Sequence, residues 1–310
     1  MLNRPNHGLP SVLLVLWLTV RANRNRISEH LLIDHCAPQE GVKDNHRDRL
    51  TKTLKTWLNF GLFEKTGDDI LLSEQFRTLD SSKDRSYLAF RRAARNLVLR
   101  TEHPTAEDFK RAAGTLLASD IFGPHFSSAK QIEKWESTHL KGAELLFSST
   151  VQWDGISDWM RFFELAWPVE ILKPGDEDEA KKDRKFTTAL MLDPTDAVKQ
   201  ELPNILRPNV PMAVRTFMKE LAERVPILDN GATQKHHLES LRTDDFRTAD
   251  PEVEVSPAVS LAIIRLEHSG DLTRTRQPDG SHRMSLLTKD FKPIAAKETT
   301  HIALPGRGAR

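Results

Sequence analysis

The chain has 310 residues, enough for two or three domains that each bury a core of their own. Its composition, with 38% hydrophobic and 29% charged residues, is typical of a soluble globular protein. Cys36 is the only cysteine. This excludes an intrachain disulfide and a cysteine-rich zinc site, and it favours the reducing cytoplasm.

The net charge of +1 conceals an uneven distribution along the chain. Residues 1–100 carry 17 Lys and Arg against 11 Asp and Glu, whereas residues 101–201 carry 12 against 19. The remaining residues, 202–310, carry 16 against 14. A basic first third beside an acidic middle fits a polyanion-binding module joined to a domain that does not bind polyanions.

An apolar run from Leu9 to Val20 is the one candidate for membrane targeting. It is shorter than the roughly 20 residues that a membrane-spanning helix needs. Arg21, Arg24 and Arg26 follow it where a signal peptide would have a small-residue cleavage site. We therefore predict a buried helix, with a signal anchor as the alternative, followed by a short second helix from Ile27 to Cys36.

The segment from Asp44 to Leu72 predicts a basic amphipathic helix that ends at Gly61 and passes into a β-hairpin. Apolar residues at helical spacing form one stripe: Leu50, Leu54, Trp57 and Leu58. Cationic and hydroxyl side chains lie away from that stripe, where they can meet phosphates and base edges. The predicted DNA contacts are Arg49, Lys52, Thr53, Lys55 and Thr56.

This order of helix, short helix, helix and two-stranded wing resembles a winged helix-turn-helix domain over about residues 8–75, and we assign residues 1–80 to it. The basic helix occupies the usual recognition position. A solvated helix face is the alternative, and winged helices also serve as protein docking modules. The hairpin carries Glu64, Asp68 and Asp69, so we predict that this first wing does not touch DNA.

Residues 86–206 predict an acidic, all-helical middle domain with a charged loop or linker at 174–185. Aromatic residues recur at three- and four-residue steps around Trp159. Such residues can stack on unpaired bases, but they far more often fill a core, and the acids among them also argue against nucleic acid. We interpret this cluster as core: Trp159, Phe162, Phe163 and Trp167.

The last third predicts a second winged helix at 207–292, followed by a flexible tail at 293–310. Strands at 272–276 and 282–287 flank a strong turn signal at Pro278-Asp279-Gly280, which predicts a hairpin. A basic hairpin can grip phosphates, although a solvated hairpin is an equal alternative. The predicted DNA contacts here are Arg274, Arg276, His282 and Arg283.

The third helix of this second module begins at Ser256-Pro257 and closes at Gly270. Its outward face is apolar, which costs solvation free energy unless another surface covers it. We predict that this face packs on the middle domain or binds a partner protein through Leu261, Ile264 and His268.

Motifs of catalysis are nearly absent from the sequence. There is no Gly-x4-Gly-Lys-Ser/Thr loop, no His-Glu-x-x-His and no Cys-x-x-Cys. We therefore predict a non-enzyme without a cofactor or a metal ion. The predicted fold class is mainly α with small β wings, in which two winged helix-turn-helix modules flank an all-α middle domain.

The opening LNRPNHGLPSVLLVL and the predicted layout resemble the DpdG proteins. These are accessory proteins of bacterial clusters that insert 7-deazaguanine bases into DNA and restrict unmodified DNA. The resemblance implies a cytoplasmic bacterial protein that works with other proteins of the same defence cluster, in its restriction half. It supplies no catalytic residues.

The function predicted from these features is that of a double-stranded DNA-binding, non-catalytic adaptor of a modification-restriction system. One alternative is a protein-interaction subunit whose winged helices dock onto an ATPase or nuclease partner. Another is a transcriptional regulator, which would need dimerisation and a specific operator. No membrane association is predicted, and the sequence gives no oligomeric state.

Overall fold

A computed structural model places the chain in two compact units. Unit 1 comprises Met1–Phe109 and Val151–Phe163, and unit 2 comprises Lys110–Thr150 and Glu164–Arg310. The fold is mainly helical with small sheets, which confirms the predicted mixture of α and β structure. The structure describes residues 8–38, 44–79, 83–122, 126–139, 150–172, 186–241, 248–276 and 283–306.

The described residues of unit 1 begin with three helices and three short strands: α1 (Pro10–Ala22), β1 (Arg26–Ser28), α2 (Glu29–Cys36), α3 (Asp44–Phe60), β2 (Phe63–Thr66) and β3 (Asp69–Leu72). The strands form one antiparallel sheet in the order β1-β3-β2, in which Ile70 pairs with both Ile27 and Lys65. Gly61, with φ +87°, follows α3, and Gly67, with φ +61°, makes the hairpin turn. The helix and hairpin predicted between Asp44 and Leu72 are therefore both present.

Helix α1 is a core helix of unit 1. Its buried side chains include Leu13, Leu16 and Val20. Trp17 is also buried and stacks on Phe90, with ring centroids 4.2 Å apart. Among the described residues, no helix is both long enough and apolar enough to cross a membrane.

Five helices follow in the described residues: α4 (Glu74–Arg77), α5 (Lys83–Arg100), α6 (Pro104–Ala118), α7 (Ala129–His139) and α8 (Thr150–Phe162). Helices α4 and α5, and α8 from Val151 onwards, belong to unit 1, α7 belongs to unit 2, and α6 crosses the boundary between the units after Phe109. The predicted middle domain therefore contributes helices to both units. Trp159 and Phe163 are fully buried and stack at 5.4 Å, and Phe162 is buried beside them. These three residues form core as predicted, whereas Trp167 is 43% exposed.

Trp167 is exposed because the chain leaves the helix at Phe162 and enters a strand. Glu164 takes the left-handed conformation, with φ +60°, and ends the helical segment. A two-stranded antiparallel sheet follows, formed by β4 (Ala166–Leu172) and β5 (Phe186–Leu192). The prediction of an all-helical middle domain is wrong at this sheet, and the charged loop predicted at 174–185 lies outside the described residues.

The remaining elements of unit 2 are α9 (Thr195–Ile205), β6 (Met212–Ala213), α10 (Val214–Arg224), α11 (Ala232–Leu241), β7 (Glu254–Val255), α12 (Pro257–His268), β8 (Thr273–Thr275), β9 (Met284–Leu287), a 3-10 turn (Lys289–Phe291), β10 (Pro293–Thr299) and β11 (His301–Ala303). Helix α12 begins as predicted, because Ser256 Oγ accepts a hydrogen bond from Val259 N at 3.4 Å. Its inward face, which includes Val259, Ile263 and Leu266, is buried.

Strand pairing after α12 differs from the predicted hairpin. Strand β8 pairs with β11, which also pairs with β6, whereas β9 pairs with β10 and, in parallel, with β7. The Pro278-Asp279-Gly280 turn signal lies outside the described residues, and the strands before and after it lie in different sheets. The predicted flexible tail is also wrong for residues 293–306, which supply β10 and β11. Residues 307–310 lie outside the described residues.

A buried carboxylate joins the loop before α11 to the start of α12. Asp229 Oδ2 accepts a hydrogen bond from Ser256 N at 2.7 Å. Burial raises the pKa of Asp229 above its ordinary value of 3.8, and the hydrogen bonds from Ser256 oppose that rise in part. The folded state therefore holds the Asp229 proton more tightly than the unfolded chain does.

The raised pKa of Asp229 predicts a pH dependence of stability. Its contribution is fully present below the ordinary pKa of 3.8 and is lost as the pH rises through the raised value. Because Asp229→Asn cannot ionise, the stability of this variant relative to wild type should increase from about pH 4 to about pH 7. Urea denaturation across that range measures the difference. A difference that stays constant or declines with pH contradicts the prediction.

Candidate nucleic-acid interface

The solvent face of α3 carries three cations. Arg49 and Lys55 are exposed, and neither has an ion-pair partner in the part of the chain that the structure describes. Lys52 is 2.8 Å from Asp48 Oδ2 in an i,i+4 pair, with both side chains well exposed to solvent. Exposed pairs of this kind contribute little to stability, so a phosphate can displace Asp48 at low cost.

Two of the predicted DNA contacts on this helix are not available to a ligand. Thr53 is fully buried and its Oγ1 donates to Arg49 O at 2.7 Å; Thr56 is also buried, and its Oγ1 donates to Lys52 O at 3.0 Å. The chain at Gly8 covers this side of the helix so closely that a Cβ on Gly8 would overlap Thr53. The assignment of Thr53 and Thr56 as DNA contacts is therefore corrected: they are packing residues.

The orientation of α3 is fixed by contacts to α2 and to the aromatic core of unit 1. Arg47 forms an ion pair with Asp34 at 2.8 Å and donates to Ala37 O at 2.7 Å. On the buried side, Trp57 lies 5.6 Å from Trp159, centroid to centroid. These contacts hold the basic face of α3 towards solvent.

The first hairpin mixes charges of both signs. Asp69 pairs with Arg26 at 2.5 Å, and Lys65 pairs with Glu29. The hydrogen bond from Lys65 to Glu29 raises the pKa of Lys65, so the ammonium group stays charged but already has an anionic partner. Asp68 is exposed at the turn. The hairpin thus presents no excess of positive charge to a polyanion, and its lack of DNA contact stays a prediction.

The basic residues predicted for the second wing are mostly neutralised by acids. Arg274 is paired with Glu267 at 2.5 Å, and its side chain is only 8% exposed. Arg276 and Arg283 are exposed but lie 3.1 and 3.5 Å from Glu298 Oε2. His282 lies outside the described residues. Arg274 is therefore corrected from a DNA contact to a buried ion-pair residue.

The apolar face of α12 is partly covered within unit 2. Helix α9 packs against α12, and Arg265 forms an ion pair with the buried Asp193 just before α9. Leu261 and Ile264 are half-buried, whereas His268 is exposed. The helix that packs against α12 thus comes from the segment that was predicted to form the middle domain. Partner binding by these residues stays a prediction.

A groove of about 340 Å³ lies beside the first half of α3. Its wall includes Val15 of α1, Cys36 of α2 and Arg49 of α3. Burial raises the pKa of the Cys36 thiol, which keeps it protonated and poorly reactive. Within the described ranges, no three His, Cys, Asp or Glu side chains come together as a possible metal site.

These features define a mainly helical protein with small sheets, whose first unit exposes a basic helix. Residues 1–280 match the family model of DpdG-like proteins, and the chain belongs to this family. Membership associates it with the Dpd system of 7-deazaguanine DNA modification. No curated protein and no solved structure matches the chain.

Proposed function

We propose that unit 1 is a winged helix that binds double-stranded DNA, and that the chain serves the Dpd system as a non-catalytic adaptor. The element order from α1 to β3 and the pairing of β1 with β3 support the winged-helix interpretation. The observation that carries the proposal is the exposure of Arg49 and Lys55 on α3 without acidic partners in the described residues.

DNA contact through α3 has a simple physical basis. A helix that lies in a major groove meets phosphates on both sides and base edges in front. Arg49, Lys52 and Lys55 are spaced at i, i+3 and i+6, so they spread over about a third of the helix circumference. Their charges release counterions from DNA, which makes binding weaker as the salt concentration rises.

The proposal rests on unit 1 alone. Arg276 and Arg283 would have to leave Glu298 before they could bind a phosphate. Glu298 therefore competes with DNA for both cations. We accordingly expect substitutions at Arg276 and Arg283 to change duplex affinity less than substitutions on α3.

Charge reversal on α3 tests this function. In R49E/K52E/K55E, the loss of three charge-assisted contacts should weaken duplex binding on the order of 100-fold at low salt. The slope of log affinity against log salt should become shallower by about 2.7, or 0.9 for each lost phosphate contact. Fluorescence anisotropy with a labelled duplex at several salt concentrations measures both quantities.

A matched triple variant separates a specific interface from net charge. K130E/K134E/K289E changes the net charge equally at exposed lysines of unit 2. It should keep most of the wild-type affinity, and thermal unfolding should show both variants folded. Equal loss in the two variants, or unchanged affinity in the α3 variant, contradicts the assignment of α3.

A second candidate function is that of a protein-interaction subunit within the same cluster. Val15 and Leu18 on α1 and Leu31 on α2 are large apolar side chains that are all more than 40% exposed, and a partner protein that covered them would gain apolar burial. Co-purification of a stable complex with another protein of the cluster, together with no duplex retention by the isolated chain, would decide for this function.

A further inference from the structure

Two adjoining cavities open in unit 2 beside the loop that precedes α11. One has a volume of about 260 Å³ and the other about 550 Å³. They share a wall formed by Asn230, Lys235 and Pro251. The larger cavity falls within the range of about 300 to 1,000 Å³ that is common for small-molecule sites, and the smaller one lies just below it.

The smaller cavity has a buried polar floor. Asp229 and Gln234 both line it and are only 7% and 6% exposed. Asp229 Oδ2 already accepts from Ser256 N, but a carboxylate has about four acceptor positions. The side-chain amide of Gln234 has no hydrogen-bond partner among the described residues. The amide therefore has donor and acceptor capacity left for a molecule in the cavity.

The larger cavity carries cations. Arg215, Lys219 and Lys235 line it together with Glu223 and Glu252. Arg215 is held by Glu252, through Nη1 to Oε2 at 3.3 Å and Nη2 to the backbone oxygen at 2.5 Å. Lys219 and Lys235 are exposed and have no acidic partner within the described ranges. The two lysines can therefore hold an anionic group at the mouth of this cavity.

We propose that the paired cavities bind a guanine nucleotide, with the base in the smaller cavity and the phosphate at Lys219 and Lys235. A guanine edge presents two parallel N–H donors, N1–H and N2–H, next to the O6 acceptor. When Asp229 is ionised, its carboxylate accepts both donors, and the Gln234 carboxamide N–H donates to O6. The two side chains then complement this edge. Adenine places an acceptor where the carboxylate needs a donor.

The acidic side chains that line the smaller cavity favour a ligand whose base presents hydrogen-bond donors. Glu254 also lines the smaller cavity and accepts a hydrogen bond from Asp250 N at 2.9 Å. Lys235 is the only cation among the lining residues described there, against the acids Asp229 and Glu254. An acidic cavity beside a cationic one matches the polarity of a nucleotide that donates from its base and carries charge on its phosphate.

Isothermal titration of the full chain with GMP, IMP and AMP tests the ligand class. IMP lacks the 2-amino group, so it loses one donor and should bind about fivefold to tenfold more weakly than GMP. AMP should bind at least about 100-fold more weakly, because its ring acceptor faces a carboxylate. Equal binding of the three nucleotides, or no binding of GMP, overturns the proposal. So does tighter binding of agmatine, a guanidinium compound without a base.

Variants separate the two halves of the site. Q234L should weaken GMP by about tenfold, and K219E/K235E should weaken GMP but leave guanosine, which lacks the phosphate, unchanged. K130E/K134E is the matched control for the two exposed lysines and should have no effect. If Q234L does not fold, the exposed lysine pair still tests the proposal. Unchanged GMP binding in K219E/K235E overturns the assignment of the phosphate to Lys219 and Lys235.

Discussion

Replacing Trp57 with alanine is expected to lower the free energy of unfolding of unit 1 by about 3–5 kcal/mol. Trp57 is fully buried, and its ring lies 5.2 Å from Phe60 and 5.6 Å from Trp159. Removal of the indole therefore leaves a cavity between α3 and α8 and removes aromatic contacts worth more than their buried area alone. The same residue anchors the helix that carries the proposed DNA contacts.

Urea denaturation followed by circular dichroism measures this loss in stability. Trp57→Phe keeps an aromatic ring and should cost less than Trp57→Ala, and Lys55→Ala, on the exposed face of the same helix, should change stability by less than about 0.5 kcal/mol. A loss below about 1 kcal/mol for Trp57→Ala would show that α3 is not held by this aromatic core.

The first part of the fold is predictable because its signals are local. The apolar stripe at helical spacing specifies α3, and Gly61 and Gly67 supply the two left-handed conformations that end the helix and turn the hairpin. The start of α12 is equally local, since Ser256 and Pro257 stand next to the helix that they begin. Such features need no knowledge of distant residues.

Strand pairing at the other end of the chain is not local. The turn signal at Pro278-Asp279-Gly280 is strong, yet β8 pairs with β11, which comes from the segment predicted to be a tail. Glu298, in the same segment, pairs with Arg276 and Arg283. The sequence predicts a basic hairpin with three arginines, and only the fold shows the acids that pair with them: Glu267 for Arg274, and Glu298 for Arg276 and Arg283.

Burial on α3 is a second example of a long-range effect. Helical periodicity places Thr53 beside the apolar stripe and Thr56 well away from it, so the periodicity does not predict that both are buried. The chain around Gly8, which is distant in sequence, covers Thr53 and buries it. Likewise, Trp167 continues the aromatic spacing of α8 but lies beyond Glu164, where the helix has ended. Periodicity alone cannot show where a helix stops.

Gly231→Ala is expected to destabilise unit 2 by about 3 kcal/mol. A Cβ at this position would overlap the carbonyl group of Pro226 and would lie 2.7 Å from its Cα. These are backbone atoms, and they cannot rotate away as a side chain can. The same carbonyl accepts a hydrogen bond from Gln234 N at 3.1 Å, so the loop must distort at the start of α11 to admit the methyl group.

Gly114→Ala is the matched control, because a Cβ there would lie 3.6 Å from Ile227 O, an ordinary contact. Gly114 is inside α6, so alanine should leave stability unchanged or raise it by up to about 1 kcal/mol. Since Gly231 lies between Asn230 and the buried Gln234, its substitution should also weaken GMP binding while the protein is still folded. Equal stability of the two alanine variants would show that the Pro226 loop can move to accept the extra methyl group at little cost in free energy. The floor of the smaller cavity would then lack the rigidity that selective base binding requires.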